Sequence, residues 1–447
     1  MRLVPSPTAR LVGTLVAALL TAVLTPLGSS TASAVTPQAP GSHRGYAFDA
    51  CQAPSQKVMD AWGQYSPYQA IGIYVSGNSR YCGDKYQPNL SRTWVMANAA
   101  KGWQFMPIHV GYQSPCFKNN PSSRVQKKKL PTSTVKAREL GISDANETIA
   151  AFAKYGLGKN SVSYLDLEWY ARTTTCDNAI LAFIDGWTDR LHAKGFRSGV
   201  YSSGSAAIAL LNEVRAGRKK VSFVKMTNPD QVWVAWTNKK ADTDAGPYLA
   251  DRYWAKQRIH QFHNGTDETY RGHTINIDRN FMEVGNGWQY SADPKACGNV
   301  TMTYKTYPLL AKGSTAPQVR ALQCALKQLG LKKDVTSEVG AGTIAAVNAY
   351  RRKKGWAQTG QTTPGFWTAL LAEGSTPYVL KYGATGERVW RLQRSLRAAG
   401  CDYISTGVYD HATERCVSRY RKANGQTGYI TVTTDVWAKL RAAHRLS

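Results

Sequence analysis

Eight short β-rich runs, most of them separated by amphipathic stretches, constrain this chain more than any other feature. The runs are YAFDAC (46–51), AIGIYVSG (70–77), FMPIHVGYQ (105–113), SVSYLDLEWY (161–170), FRSGVYSS (196–203), QVWVAWTN (231–238), RIHQFH (258–263) and INIDRNF (275–281). Helical candidates occupy 54–64, 90–102, 143–156, 177–194, 205–216 and 246–256. Strands that alternate with helices must pair in parallel, and eight of them close on themselves, so residues 45–290 predict a (β/α)8 TIM-type barrel. The last connection, 264–274, is too short for an ordinary helix. The barrel is therefore expected to be irregular at its final strands.

Beyond the barrel the chain repeats itself at an offset of 70 residues. Gly313, Val319, Leu322, Gln323, Leu326 and Gly330 recur as Gly383, Val389, Leu392, Gln393, Leu396 and Gly400. Thr343, Val347, Tyr350, Gly355 and Trp367 recur as Thr413, Val417, Tyr420, Gly425 and Trp437. Val319, Leu322 and Leu326 share one helix face, as do Val347 and Tyr350 on a second helix. Two copies are too few for a solenoid, so the fold class is α/β: an irregular barrel followed by two small all-α helical modules, 306–374 and 375–447, after a linker at 291–305.

The first segment reads as an address. Arg2 and Arg10 precede an apolar stretch from Leu11 to Leu24, and small residues lead to Ala32-Ser33-Ala34. This is the pattern of a signal peptide (1–34) removed on export, followed by a flexible Pro/Gly/Ser-rich linker at 35–44. No later run is apolar enough to span a membrane. Export governs how charge is read. The full chain has 56 Lys+Arg against 29 Asp+Glu, a net charge of +27. Loss of the leader leaves +25, and 301–447 alone carries 22 basic and 8 acidic residues. Outside the cell such a balance favours an anionic wall polymer over nucleic acid. An exported monomer, cell-wall associated, is the expectation.

Eight cysteines outside the cytosol favour disulfides over zinc. Cys51, Cys82, Cys116 and Cys176 each follow one of the first four strands, so they lie on one barrel rim. Adjacent strand ends make Cys51–Cys82 and Cys116–Cys176 the expected pairs, with two other connectivities open. Cys297 and Cys324 would tie the linker to the first module, and Cys401 with Cys416 lack counterparts in the first copy.

The chemistry concentrates in Asp166-Leu167-Glu168. Residues i and i+2 of a strand share a face, and the C-terminal ends of barrel strands are where active sites sit. Neighbouring carboxylates repel, which keeps one protonated, and glycoside cleavage requires a proton donor beside an ionised carboxylate. Asp49 closes the first strand and Asp278 lies in the eighth, its neighbour in a closed barrel, so four acids can converge on one cleft. Tyr74, Tyr112, Tyr201 and Trp236 at other strand ends suit stacking on sugar rings, or equally barrel core. His260 and His263, three apart on a strand, should diverge, so neither a metal nor any other cofactor is expected; Gln261 is better placed. In the second module, Arg388, Arg391 and Arg394 recur every third residue, off the Val389/Leu392/Leu396 face, as a candidate wall-binding stripe.

With GYAFDACQAPS, AIGIYVSG, PIHVGYQSPC, SYLDLEWY and SGVYSS in view, residues 45–290 resemble the secreted glycoside-hydrolase-like domain catalogued as domain of unknown function 1906. More distantly the segment is similar to family 25 lysozymes, in Asp49, Asp166 with Glu168, Gln261 with Phe262, and Asp278 with Asn280. That resemblance implies Glu168 as general acid and Asp166 as support for the developing positive charge or a reacting N-acetyl group. The insertion 114–137, with Lys127-Lys128-Lys129, departs from the lysozyme pattern. The two repeats resemble small helical peptidoglycan-binding modules (G-x-x-x-x-x-V-x-x-L-Q), although the first lacks a D-G-x-F-G run before Thr343. The expected function is a lysozyme-like wall glycosidase. The alternative is a non-catalytic wall-glycan binder on an inactive barrel; a zinc-dependent amidase is a weaker third.

Overall fold

The computed structural model describes residues 36–446 apart from 124, 222–225, 287–290, 377–378 and 404. The expected signal peptide lies outside the described residues. The barrel strands and helices run β1 (His43–Asp49), α1 (Gln56–Tyr65), β2 (Ala70–Ser76), α2 (Arg92–Ala100), β3 (Gln104–His109), α3 (Thr134–Tyr155), β4 (Val162–Leu167), α4 (Thr174–Ala193), β5 (Arg197–Ser203), α5 (Ala209–Arg215), β6 (Gln231–Ala235), β7 (Arg258–Tyr270) and β8 (His273–Val284). The eight strands close in sequential order. β1 to β7 pair in parallel, while β8 runs antiparallel to both β7 and β1. The short last connection is thus a long β-hairpin, which reverses the final strand.

The helices form where apolar positions recur and caps are supplied. α4 buries Ile180, Phe183, Ile184, Trp187 and Leu191, and the Thr173 hydroxyl accepts from the Cys176 N–H, 3.2 Å. α3 starts nine residues earlier than the pattern suggested and stops at Gly156, which takes φ 75° as a left-handed cap. α3 and α4 approach so closely that a Cβ on Gly141 would lie 2.2 Å from the Phe183 carbonyl oxygen. Each large aromatic buried between barrel and helices, Trp62 and Trp187 among them, contributes roughly 1.5–3 kcal/mol of apolar burial.

Two expectations fail here. The helix foreseen at 246–256 is only a 3-10 turn, Gly246–Tyr248. Trp254 and Lys256 take positive φ, and the Arg258 guanidinium binds the Tyr253 carbonyl at 2.9 Å, so that loop's carbonyls are satisfied without a helix. The segment before β1 is not loose either. Val162 N–H donates to the Ala39 carbonyl at 2.6 Å, Ala39 N–H to the Ser161 hydroxyl at 3.0 Å, and Ala39 is fully buried.

The tail forms two three-helix modules with separate cores: α6 (Gln318–Gln328), α7 (Ala341–Lys353) and α8 (Pro364–Leu371), then α9 (Glu387–Ala398), α10 (His411–Ala423) and α11 (Thr434–Arg441). The repeated Leu-Gln pair has one job in both. Gln323 donates to the Thr343 hydroxyl (2.9 Å) and accepts from Thr336 N–H; Gln393 donates to Thr413 (3.0 Å) and accepts from the Thr406 and Gly407 N–H groups. A buried amide with its bonds made pins the loop to the first helix.

The second module also finishes the barrel. The hairpin takes the place of a last crossover helix, and Phe262, Phe281 and Tyr46 form an aromatic patch on β7, β8 and β1. Tyr382 packs on that patch, 5.5 Å from Phe281 and 5.6 Å from Tyr46 between ring centroids. The eight cysteines form four pairs: Cys51–Cys82, Cys116–Cys176, Cys297–Cys324 and Cys401–Cys416.

Candidate active site

Asp49 ends β1 with its side chain inside the barrel, directly across from Asp278 on β8. Its other neighbour in register is Gly72, where a Cβ would come within 2.5 Å of the Asp49 Cβ. Asp166 is the penultimate residue of β4, and Glu168 follows the strand's last residue. Gln113 holds that strand end from both sides, donating to the Asp166 carbonyl at 2.8 Å and accepting from the Glu168 N–H at 2.8 Å. All four acids line one cavity of about 280 Å³, together with Tyr74, Tyr81 and Lys127.

The four are not equivalent. Asp49 is 5% exposed and Asp166 7%, whereas the Glu168 side chain is 41% exposed. The Asp49 carboxylate accepts from Asn280 at 2.7 Å and Gln261 at 3.3 Å. Burial, joined by the charges of Asp278 and Asp166, nevertheless pushes its pKa up to about 8 against those donors. Burial and then the Glu168 charge push Asp166 up to about 7, with Lys127 opposing. Asp278 is also raised, by burial, although the Gly265 N–H donates to it at 2.7 Å. Asp166 Oδ1 has no hydrogen-bond partner among the described residues. Burial thus disfavours charge on Asp49, Asp166 and Asp278, which stand beside a more exposed, ion-paired acid.

These shifts predict a pH dependence. An acid whose native pKa exceeds its unfolded value binds more protons folded than unfolded, so its contribution to stability falls as pH rises between about 4 and 8. The limiting slope is about 1.4 kcal/mol per pH unit for one proton. Buried His43, lowered to about 4, and Lys381, lowered to about 7, titrate with the opposite sign. The informative quantity is thus the difference between the protein and its Asp49→Asn variant. Thermal melts at pH 5 and pH 8 should show the variant gaining stability relative to the parent at the higher pH. Parallel profiles would refute the shift.

Other sequence candidates fall into three groups. Tyr74 lines the cavity. Tyr201 joins it through Gln261, donating to Gln261 Oε1 at 2.9 Å while Gln261 donates to Asp49 and Asp278. Burial and the surrounding acids raise both tyrosines well above their ordinary value. Tyr112 and Trp236 lie outside the cavity lining. Tyr112 packs on the core, with its N–H donating to Asp144, and Trp236 stacks on His260 at 5.8 Å. The arginine stripe on α9 is not a free basic face. Arg388 is exposed, but Arg391 is buried over the Trp437 ring (4.7 Å) and donates to the Glu373 carbonyl at 3.1 Å. Arg394 is buried between Glu387 (2.8 Å) and Asp293 (3.7 Å). A helix squeezed between two modules buries a second face, which a one-face reading misses.

Three further residues stand at or beside the cavity without a periodic signal in the sequence. Trp169 is exposed beside Glu168, and Tyr81, also exposed, lines the cavity. Their run and loop were visible, but exposure was not. Lys127 reaches in from the insertion, its Nζ 2.5 Å from Glu168 Oε1.

A closed barrel with acids gathered at its strand ends belongs to the class of glycoside hydrolase-like folds. Residues 60–282 match the family model described as Rv2525c-like, glycoside hydrolase-like domain, and residues 315–370 match that of a peptidoglycan binding domain. The barrel is thus an Rv2525c-like, glycoside hydrolase-like domain, followed in the same chain by a peptidoglycan binding domain. Comparison with curated proteins gave no match. Among solved structures, the chain is similar to an uncharacterized B. stearothermophilus protein (14% identity, 53% of this chain and 95% of that one, TM-score 0.34). It is similar also to the catalytic domain of endolysin ply40 from Listeria monocytogenes bacteriophage P40 (18%, 54% and 95%, TM-score 0.31). A third is the Mycobacterium tuberculosis Tat-secreted protein Rv2525c in complex with L-tartrate (12%, 53% and 94%, TM-score 0.34).

Proposed function

We propose that this chain is an exported, cell-wall-directed glycoside hydrolase of the lysozyme type, cleaving peptidoglycan or a related wall glycan. The observation that carries the reading is the single cavity lined by Asp49, Asp166, Glu168 and Asp278 on a chain that also holds a peptidoglycan binding domain. Glu168, the most solvent-facing of the β4 pair, gives its proton to the departing glycosidic oxygen as the carbon–oxygen bond breaks. Asp166 supports the positive charge that develops on the sugar. Water then supplies a hydroxyl to that carbon, and its remaining proton returns to a carboxylate. Asp49 and Asp278, bridged by Gln261, shape the floor of the site. The second module, 375–447, is proposed as a further binding module of the same type as 306–374, since the shared Gln and Thr bonds recur in both.

Digestion of insoluble peptidoglycan tests the reading. Mass analysis of released fragments should show glycan chains with new reducing ends and intact peptide stems. Free stems would indicate an amidase instead. One observation favours a non-catalytic glycan binder: Lys127 occupies the Glu168 carboxylate. Retention on peptidoglycan without any soluble product would establish that reading.

A further inference from the structure

Lys127 does not sit in the site by accident of a mobile loop. Asn119 grips its backbone from both sides, accepting from the Lys127 N–H at 2.8 Å and donating to its carbonyl at 3.0 Å. The next residue is held too: Lys128 N–H donates to the Ser79 hydroxyl at 3.2 Å, and its carbonyl accepts from Gln113 N–H at 2.8 Å. The side chain of the same Gln113 clamps the Asp166/Glu168 strand end, so one residue registers the insertion through its backbone and the acids through its amide. Cys116–Cys176 ties the insertion to the first turn of α4. A built support of this kind positions a cation deliberately.

The cation faces the acids of the cavity, Glu168 first among them. Lys127 Nζ lies 2.5 Å from Glu168 Oε1, so in the resting site the ion pair occupies the carboxylate that would meet an incoming glycosidic oxygen. Lys127 is also the cation among the residues lining the cavity, 18% exposed at its side chain. A substrate carboxylate entering there would meet three further acids unless Lys127 received it.

We propose that Lys127 reads an anionic group on the substrate and leaves Glu168 to bind it, which frees that carboxylate to face the scissile bond. The freeing of Glu168 rests on the glycosidase reading above; the anion-reading half does not. The substrate class that fits is a glycan carrying a carboxylate beside the scissile bond, and a neutral glycan leaves the site in its resting, ion-paired state.

Two soluble probes separate these halves: a neutral N-acetylglucosamine tetramer, and a tetramer alternating N-acetylglucosamine with N-acetylmuramic acid. Calorimetric titration of the full chain should give about tenfold or more tighter binding of the carboxylated tetramer, the size of a charge-assisted contact. Lys127→Met should bring the two affinities within about twofold, and Lys127→Arg should restore the preference. In parallel assays the parent should cleave the carboxylated tetramer faster. Lys127→Met should show no such difference in rate between the two tetramers. Equal preference in the parent and Lys127→Met, with unchanged melting curves, overturns the proposal. A Lys127-dependent binding preference without cleavage of either tetramer sustains the anion assignment and refutes the hydrolase reading.

Discussion

Replacing Glu168 by glutamine should abolish release of reducing ends from peptidoglycan, a loss of about 10²–10⁴-fold, the usual worth of a positioned proton donor. The substitution keeps shape and removes only the proton and the charge. Its structural cost should be small. The Glu168 side chain is 41% exposed, and the amide oxygen of glutamine still accepts a hydrogen bond from Lys127. Its backbone N–H, held by Gln113, is unaffected. Melting curves and circular dichroism should therefore match the parent while activity is lost. Binding of the carboxylated tetramer should survive, because Lys127 no longer has to leave an ionised partner. A Glu168→Gln variant that retains more than a few per cent of parental turnover would remove Glu168 as the donor and direct attention to Asp166, the other acid of the pair.

How much of this was written in the sequence depends on whether the signal was periodic. The eight strands and the inward acids were legible, because alternation puts Asp49, Asp166, Gln261 and Asp278 on faces that a closed barrel must turn inward. The hairpin at β7–β8 was legible as a connection too short for a helix. Lys127 was visible only as one of three lysines in an insertion. Nothing periodic says which of the three points inward, and it is the Asn119 grip and the Gln113 register that decide it. Arg391 and Arg394 were misread for a related reason. Their spacing shows that they avoid the Val389/Leu392/Leu396 face, but not that a second surface covers them. Ser395 on the same helix donates to the Thr368 carbonyl of α8 at 2.8 Å, which marks that second packing face. Changing Arg388, Arg391 and Arg394 together to glutamine should disturb the tail's packing, because Arg391 and Arg394 are buried.

Lys381→Met should separate the second module from the barrel. Lys381 is 4% exposed and its Nζ donates to three backbone carbonyls of the barrel, Gly63 at 2.7 Å, Ser66 at 3.2 Å and Tyr68 at 2.7 Å. The first two lie at the C-terminal end of α1, where carbonyls are left over and the helix dipole favours a cation. Three acceptors match the three N–H groups of an ammonium. Methionine fills similar space but donates nothing, and each buried carbonyl it orphans costs about 1–3 kcal/mol. The burial that lowers the Lys381 pKa to about 7 offsets part of this, since methionine has no charge to desolvate. A net loss of roughly 2–3 kcal/mol should fall on the docking surface rather than on either core, because Tyr382 next door is the aromatic that covers Tyr46 and Phe281. Calorimetry should then resolve separate melting of tail and barrel where the parent melts together, and small-angle scattering should report a larger radius of gyration. Lys381→Arg is the control, since it restores donors but not the compact fit. The latch is refuted if Lys381→Met melts in one transition at the parental temperature with unchanged dimensions; the aromatic patch alone would then hold the module in the place of the helices that the terminal hairpin lacks.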